Sequence, residues 1–587
     1  MNSDLELQKR RIRAARKEVV SDLVLKNGSV INLFSGVFQR CDVAVCEGVI
    51  VGVGPEYAGN EEIDVSGRYI IPGMIDGHLH IESTMLLPHN LAAALLVHGT
   101  TAIVSDPHEI ANVAGLEGVR MMLEQSADLP FDFFFMAPSC VPATGLETSG
   151  AELNTADLLK FKNEPRILGL AEMMNFSGIL SCDEEVLKKI YHFRGMIIDG
   201  HCPSLKGHEL QAYMTAQIRS DHETSDRSEA IEKIQGGMML MIREGSSAKN
   251  LEELMPVINH RTSNRCCFVS DDLSAEDILN SGHLDAIVKK ALLLGLDPVT
   301  AVQMVTRNPA EYFGLYDRGA VAPGRRADMV VLDSLDGFNV ISVYKNGITL
   351  VEDGRLVSFP KSNRISPFSS STLNIAPLNR DSLLIPHQGE KARIIEIIPG
   401  QIITKMVFDN VKSDNGFVVS DTASDTIKLC VVERHRGSGR IGLGLVRGLG
   451  LKNGAIASSV SHDSHNVIAA GICDKDILTA IDAVRLMSGG LVVVSGENII
   501  AKAPLEVAGL MSVQPIDVLS RQLKSVELAA SNLGCVIKKP FMALSFLALP
   551  VIPELKLTDM GLVDVNRFEI VPLFTSKLSD QPLTVRY

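Results

Sequence analysis

The 587-residue chain lacks several features that mark common protein classes. Its ten cysteines form no CxxC pair and no dense framework, which excludes a small disulfide-stapled domain and favours reduced thiols. No apolar run reaches the ~18–20 residues that a membrane-spanning helix needs. The charged N-terminal segment lacks the apolar core of a secretory signal. We therefore predict a cytoplasmic protein without a membrane partner.

An excess of basic charge is also missing. The net charge of −14 and the pI near 5.6 argue against a nucleic-acid partner, because affinity for phosphates requires a basic surface. One basic cluster near the N-terminus leaves two interpretations open, a nucleic-acid arm or a solvated helix, and interspersed Glu6 and Glu18 favour the helix. The glycine-rich segment at 436–450 contains no GxxxxGK[ST] motif, so we predict no nucleotide cofactor.

Short apolar runs alternate with helix-forming segments through the middle of the chain. This alternation predicts a (β/α)₈ barrel over residues 72–318. Eight runs carry the prediction, and they lie at 73–80, 100–109, 131–140, 166–174, 196–203, 215–223, 239–245 and 266–272.

Residues 1–71 and 319–362 have a different sequence pattern, in which apolar residues alternate with polar ones and Gly/Asn turns separate the segments. The tripeptide KNG occurs at 26–28 and 345–347, and we interpret both copies as hairpin turns. We predict an N-terminal helix followed by one β-sandwich, built from both flanks, into which the barrel is inserted. A Pro/Ser/Asn-rich linker at 363–380 precedes a C-terminal α/β domain at 381–587.

Several predicted barrel strands end in imidazole or carboxylate side chains. Catalytic groups of such barrels lie at the carboxyl ends of the strands. Each residue alone is compatible with a structural role, but their coincidence on one barrel mouth favours a metal site, and nitrogen and oxygen ligands suit zinc, manganese or iron. The candidates are His78, His80, Asp106, His108, Glu109, Glu172, His201, His222 and Asp271.

The segment GMIDGHLHIEST, together with a histidine on strand 5, a histidine on strand 6 and an aspartate on strand 8, resembles the amidohydrolase superfamily. Within it, IESTM, IVSDPHEIANVAG, GLAEMMNF and VSHDSHN resemble the bacterial adenine deaminases. This resemblance implies a β-sandwich flanking the barrel. It also implies hydrolytic deamination of adenine to hypoxanthine and ammonia in purine salvage, with a metal-activated hydroxide attacking C6.

Many superfamily members bridge two metals with a carbamylated lysine on strand 4, but that strand reads ILGLAEMM here. The resemblance implies that Glu172 takes the bridging role. His78, His80 and Asp271 would then hold one divalent ion, with His201 and His222 on the other. Mn²⁺ or Fe²⁺ is expected ahead of Zn²⁺.

The resemblance leaves several roles open. Asp271 is the expected general base and proton shuttle. The group that protonates N1 is left open among three residues, Glu82, His108 and Glu109. Capping or support of the ligand histidines is the alternative for Glu82 and Glu109. Asp106 is a turn or support residue, and His283 either contacts the base or is a surface histidine at the start of a helix.

The motif SHDSHN places His462, Asp463 and His465 in a loop of small residues. It is either a polar turn before a helix or a loop that closes the purine site or holds an extra metal. Two other functions compete, a hydrolase of cyclic amides or N-acyl substrates and a non-catalytic amidohydrolase-like scaffold. The presence of every expected ligand favours an enzyme with a small-molecule substrate. No motif sets the oligomeric state, and a homodimer is our expectation.

Overall fold

The computed structural model describes residues 2–360, 368, 371–389 and 391–575. The predicted linker therefore lies in part outside the described residues. The chain divides into two compact units. The first, which we call the barrel unit, comprises Met1–Pro107, Met122–Ser139 and Asn154–Ile365, and the second unit comprises His108–Met121, Cys140–Leu153 and Ser366–Tyr587.

The barrel unit begins with one helix and five strands. These are α1 (Asn2–Ala15), β1 (Ser21–Asn32), β2 (Val37–Cys46), β3 (Val49–Gly54), β4 (Gly59–Asp64) and β5 (Tyr69–Pro72). The basic segment near the N-terminus is thus helical, and Arg10 on α1 forms ion pairs with Asp22 and Glu47.

Eight parallel strands follow and form the barrel, which confirms the predicted fold. They coincide with the eight apolar runs and are β6 (Met74–Leu79), β7 (Thr100–Ser105), β8 (Asp132–Ala137), β9 (Ile167–Met173), β10 (Ile197–Gly200), β11 (Ser220–Asp221), β12 (Met239–Arg243) and β13 (Cys266–Val269). Strands β6 to β10 pair in sequence order, and so do β11 to β13. Strand β10 contacts β11, and a parallel bridge between Leu79 and Asp271 closes the ring.

Helices connect these strands. They are α2 (Pro88–Leu96), α3 (His108–Gln125, broken at Gly115), α4 (Thr155–Leu158), α5 (Phe176–Leu180), α6 (Glu184–Phe193), α7 (Gly207–Thr215), α8 (Arg227–Gln235), α9 (Leu251–Leu254), α10 (Ala275–Ser281), α11 (Leu284–Leu293), α12 (Pro298–Met304) and α13 (Arg307–Tyr312). Short 3-10 turns occupy Glu82–Thr84, Met255–Val257 and Ser263–Arg265.

Local sequence explains these elements. In α6, the Asp183 side chain accepts a hydrogen bond from the backbone N–H of Val186 and caps the helix. Val186, Ile190 and Phe193 recur at helical spacing and are buried. The sixth strand is shorter than its apolar run, because Thr215 still belongs to α7 and the chain then turns at Gln217, whose φ is 72°.

Four strands after the barrel return to the N-terminal sheet. They are β14 (Met329–Leu332), β15 (Val340–Lys345), β16 (Ile348–Glu352) and β17 (Arg355–Leu356). The resulting nine-stranded sheet has the order β17-β16-β15-β14-β5-β1-β2-β3, with β4 also paired to β1. Its core contains Leu25, Val45, Ile70 and Val331. Both flanks thus build one sheet.

The two KNG tripeptides differ in structure. Asn346 and Gly347 form the predicted turn between β15 and β16, with φ of 50° and 77°. The prediction for residues 26–28 is wrong, because β1 continues through them and its pairing with β2 shifts between Leu25 and Gly28. Asp42 on β2 accepts hydrogen bonds from the Asn27 backbone and the Lys26 side chain, which holds the segment as a bulge.

The second unit contains a mixed sheet with two long helices. Its strands are β18 (Ala392–Ile397), β19 (Thr404–Asp409), β20 (Ser413–Asp414), β21 (Phe417–Val418), β22 (Thr426–Val432), β23 (Ile441–Arg447), β24 (Ala455–Ser458), β25 (Val467–Gly471), β26 (Gly490–Ser495), β27 (Asn498–Pro504), β28 (Leu555–Thr558), β29 (Gly561–Asp564) and β30 (Glu569–Val571). Its helices are α14 (Asp474–Leu486), α15 (Ile516–Asn532) and α16 (Pro540–Phe546), with a 3-10 turn at Arg380–Leu383.

Eight of these strands form one sheet in the order β19-β18-β23-β22-β25-β24-β26-β27. Helix α14 packs on β24, β25 and β26, and its apolar residues Ile477, Ile481 and Val484 join the core of the sheet. Within the described ranges, no helix combines the length and the apolar character required to cross a membrane.

Candidate metal centre

Six of the predicted ligand side chains lie together in the barrel unit. Each lies within two residues of the carboxyl end of one of the strands β6, β9, β10, β11 and β13, and none is more than 9% exposed. They are His78, His80, Glu172, His201, His222 and Asp271. The common position at the strand ends explains why residues so distant in sequence meet at one place.

The carboxylate of Glu172 lies between two pairs of histidines. Its Oε1 is 3.4 Å from Nε2 of His80 and 3.9 Å from Nε2 of His78. Its Oε2 is 2.7 Å from Nδ1 of His201 and 3.2 Å from Nε2 of His222. One oxygen therefore faces each pair, which is the arrangement that a bridging carboxylate requires.

Asp271 faces the first histidine pair from another side. Its Oδ1 is 3.4 Å from Nε2 of His78 and 3.3 Å from Nε2 of His80, while Arg243 donates a hydrogen bond of 2.8 Å to its Oδ2. The two oxygens of Asp271 thus have different partners. One side chain can serve as a ligand and remain paired with a cation.

The donor set fits divalent metal ions. Nδ1 of His80 is 3.1 Å from the backbone oxygen of Asp106, so this nitrogen donates its proton there and leaves the Nε2 lone pair towards the carboxylates. Nε2 of His78 is likewise buried and lies 3.4 Å from Oδ1 of Asp271. Imidazole and carboxylate ligands suit manganese, iron and zinc. Asp106 supports His80 through its backbone, one of the two roles considered for it.

Neighbouring opposite charges shift the pKa values of the side chains in the centre. Burial acts to raise the pKa of Glu172, but the charges of His222 and His201 and their hydrogen bonds hold it well below its usual range. Burial likewise acts against ionisation of Asp271, yet hydrogen bonds with His78 and His80 and the charge of Arg243 keep its pKa low. Burial lowers the pKa of His222, but Glu172 outweighs it and raises the value to about 9.

Two charged residues of the site were missed by the sequence analysis. Arg243, at the end of β12, binds Glu223 with both terminal nitrogens as well as Asp271. Glu223 follows His222 directly, and its Oε1 lies 3.7 Å from Nε2 of that histidine. Both occupy the strand-end position that was used as the signal. Arg243 escaped notice because arginine is not a metal ligand.

A buried lysine holds the segments that carry His201 and His222. Nζ of Lys233, on α8, donates 2.9 Å to Asp221 and is fully buried, and it also binds Glu229. Asp221 in turn accepts a hydrogen bond from the backbone N–H of Cys202. The ends of β10 and β11 are therefore fixed to each other. Nothing in the sequence around Lys233 distinguishes it from a surface lysine.

Two other candidates in the barrel unit are also buried. His283 precedes α11, but the interpretation as a surface residue is wrong, because only 1% of it is exposed. Its ring nitrogens contact Thr100 at 2.7 Å and Asp76 at 2.9 Å. Glu82 is 1% exposed and begins the 3-10 turn Glu82–Thr84, which follows β6.

The remaining candidates belong to the second unit, where the structure brings them together. SHDSHN joins β24 to β25, so the alternative of a turn before a helix is wrong. Nδ1 of His462 is 3.4 Å from Oε1 of Glu109, and Nε2 of His465 is 3.7 Å from Oε2. Oδ1 of Asp463 is 3.9 Å from Nε2 of His108. All five side chains are buried.

Two protein-family models match the chain. The amidohydrolase family model covers residues 69–350, and the adenine deaminase C-terminal domain model covers residues 401–569. An adenine deaminase from Desulfatibacillum aliphaticivorans is 47% identical over 96% of this chain and 99% of its own length. One from Dehalococcoides mccartyi is 46% identical, over 96% of this chain and 98% of its own. Among solved structures, a crystal structure of an adenine deaminase aligns with 56% of this chain and 99% of its own, at 17% identity and a TM-score of 0.43.

Replacing Lys233 with methionine tests the buried support. Lys233→Met leaves the charges of Asp221 and Glu229 buried without their partner, which is expected to lower the free energy of unfolding by about 3–5 kcal/mol. The matched control is Lys206→Met, because Lys206 forms an exposed ion pair with Asp226, and such pairs contribute little. Denaturant unfolding of the three proteins measures the effect. Equal losses in both variants would contradict the assigned support.

Metal binding is expected to release protons. A ligand imidazole must be neutral, whereas the pKa of about 9 leaves His222 protonated near neutral pH in the metal-free protein. Addition of Mn²⁺ near pH 7 should therefore liberate on the order of one proton per chain or more, and the affinity should rise as the pH is raised through about 9. Titration in weakly buffered solution records the protons. Glu172→Gln removes the main cause of the raised pKa and should reduce the release. Equal release near pH 7 and above pH 10 would refute the assignment.

Proposed function

The chain belongs to the adenine deaminase family of the amidohydrolases, and we propose that it converts adenine and water into hypoxanthine and ammonia. The observation that carries this proposal is the high identity with curated adenine deaminases over nearly the whole chain. The buried cluster around Glu172 supports it, because replacement of an amine on a purine requires an activated water and a proton carrier.

The proposed centre holds two divalent ions, Mn²⁺ or Fe²⁺ ahead of Zn²⁺. One ion is assigned to His78, His80 and Asp271, and the other to His201 and His222. Glu172 is assigned as the bridge, which is supported by its two oxygens facing separate histidine pairs. When bound, the ions supply Lewis acidity that lowers the pKa of water towards neutrality.

Asp271 is our candidate for the residue that moves the proton. Its hydrogen bond from Arg243 and its low pKa keep the carboxylate ionised, so that it is able to accept a proton from the attacking water. Passing this proton to the amine at C6 balances the reaction, since the C6–N bond breaks, a C6–O bond forms and ammonia leaves. Arg243 remains paired with Glu223 throughout and keeps the carboxylate in place.

The donor of a proton to N1 is proposed among Glu109, His108 and Glu82. His283 and Asp106 are assigned as supporting residues, because His283 is engaged with Asp76 and the Asp106 carbonyl holds His80. His462, Asp463 and His465 remain candidates for closing the purine site. We further propose a cytoplasmic location, in keeping with cysteines that form no disulfide bonds. The protein is proposed to act as a homodimer on a small molecule. The acidic net charge is in keeping with the absence of a nucleic-acid partner, and no membrane partner is proposed.

An ammonia-release assay tests the proposed function. Protein loaded with manganese or iron is supplied with adenine, adenosine or cytosine, and hypoxanthine is identified among the products. Ammonia and hypoxanthine are expected from adenine alone. Release from adenosine but not from adenine would overturn the substrate assignment.

Glu172→Gln tests the bridge in the same assay. Even partners that only orient a ligand cost about 10–100-fold when removed, so loss of the bridging charge should lower kcat/KM by about 100-fold or more and reduce metal content. Glu185→Gln is the matched control. Glu185 lies in the first turn of α6, outside the centre, and this variant should keep both activity and metal. Full activity and full metal content in Glu172→Gln would exclude the bridging role.

A further inference from the structure

A group of buried imidazole and carboxylate side chains lies in the second unit and contains none of the six barrel ligands. We propose that it binds one divalent metal ion of its own, with His108, Glu109, His462 and Asp463 as ligands. The group combines the start of α3 with the loop between β24 and β25. With His108 and Glu109 as metal ligands, Glu82 is left as the donor of a proton to N1. The metal count described below tests this site without relying on the deamination assay.

The distances within the group fit ligands of a single ion. Nδ1 of His462 is 3.4 Å from Oε1 of Glu109 and 3.9 Å from Oδ1 of Asp463. Nε2 of His108 is also 3.9 Å from Oδ1 of Asp463. Ligands at about 2.0–2.2 Å from one ion in tetrahedral geometry lie roughly 3.3–3.6 Å apart. Along these three contacts, binding therefore requires shifts of only a few tenths of an ångström.

His465 lies beside Glu109 and is not proposed as a fifth ligand. Its Nδ1 accepts a hydrogen bond from the backbone N–H of Ser461, so its single proton lies on Nε2. That nitrogen faces Oε2 of Glu109 at 3.7 Å, which leaves Oε1 directed at His462.

The negative charge of the buried carboxylates gives a second reason to propose a metal ion here. Glu109 and Asp463 are 1% and 3% exposed, and burial of the Asp463 carboxylate is costly without a compensating cation. Oδ2 of Asp463 has no hydrogen-bond partner within the part of the chain that the structure describes. Arg434 is buried nearby in the fold but donates to neither carboxylate, since its side chain makes no hydrogen bond to any described residue. A divalent cation would neutralise both carboxylates.

Packing and hydrogen bonds around the group hold its side chains in place. The His462 ring stacks on Phe546 with centroids 4.7 Å apart and planes 15° apart. Lys556 donates a hydrogen bond of 2.9 Å to the backbone oxygen of Phe546, which fixes the stacking partner. The backbone N–H of His465 donates 2.7 Å to the oxygen of Ser461 and closes the loop. Two imidazoles and two carboxylates held in this way suit Mn²⁺, Fe²⁺ or Zn²⁺.

Metal counting on the full chain tests the proposal. Wild-type protein, the double variant His462→Ala/Asp463→Asn and the control His387→Ala are stripped, dialysed against Mn²⁺ and measured by elemental analysis. His387 belongs to the second unit but to none of the clusters described above, so its removal should change nothing. The double variant is expected to bind one equivalent fewer than wild type, whatever number the barrel holds. Circular dichroism verifies folding, and His462→Gln replaces the double variant if that protein does not fold.

Glu172→Gln separates this proposal from the barrel centre. It should reduce the barrel's metal and retain the equivalent that the double variant loses, so that combining the changes removes both. Equal metal content in wild type, the double variant and His462→Gln would overturn the second site. That result would leave the deamination proposal untouched, because the latter is judged by ammonia release from adenine.

Discussion

The charge of Glu172 inside the barrel is the constraint on which the centre depends. A carboxylate in that position is stable only when cationic or metal partners surround it, since desolvation alone would favour its neutral form. The four histidines provide that surrounding, two towards each oxygen. They are able to do so because they follow strands that end at the same side of the barrel. The chain thereby obtains a bridging anion without modifying a lysine.

The same constraint extends to residues that bind no metal. Several further buried charges of the barrel unit are matched by opposite ones, as Arg243 matches Glu223 and Asp271, and Lys233 matches Asp221. Breaking one member of such a pair is costly, whereas the intact pair adds little stability. The main effect of these pairs is therefore to position the strand ends. They hold the ends of β10, β11 and β12 at the spacing that the ligands require.

The sequence predicted the barrel and the six ligands because both follow local rules. Apolar runs mark strands, and the residue after a strand in such a barrel faces the site. The support residues could not be found in this way. Lys233 lies within helix α8, and its supporting role depends on its ion pair with Asp221 on another element. The KNG tripeptides show the same limit. Identical residues form a turn at 345–347 and a bulge at 26–28, because β1 pairs with β2 on both sides of the first copy.

The loop SHDSHN illustrates how burial changes the interpretation of polar sequence. Six small or polar residues between two segments predict an exposed turn, yet all six are less than 9% exposed. Hydration that they would keep at the surface is lost, and packing alone cannot compensate for it. Selection for stability would favour apolar residues in such a loop. Retention of two histidines and an aspartate in the interior therefore indicates a chemical role for this part of the second unit.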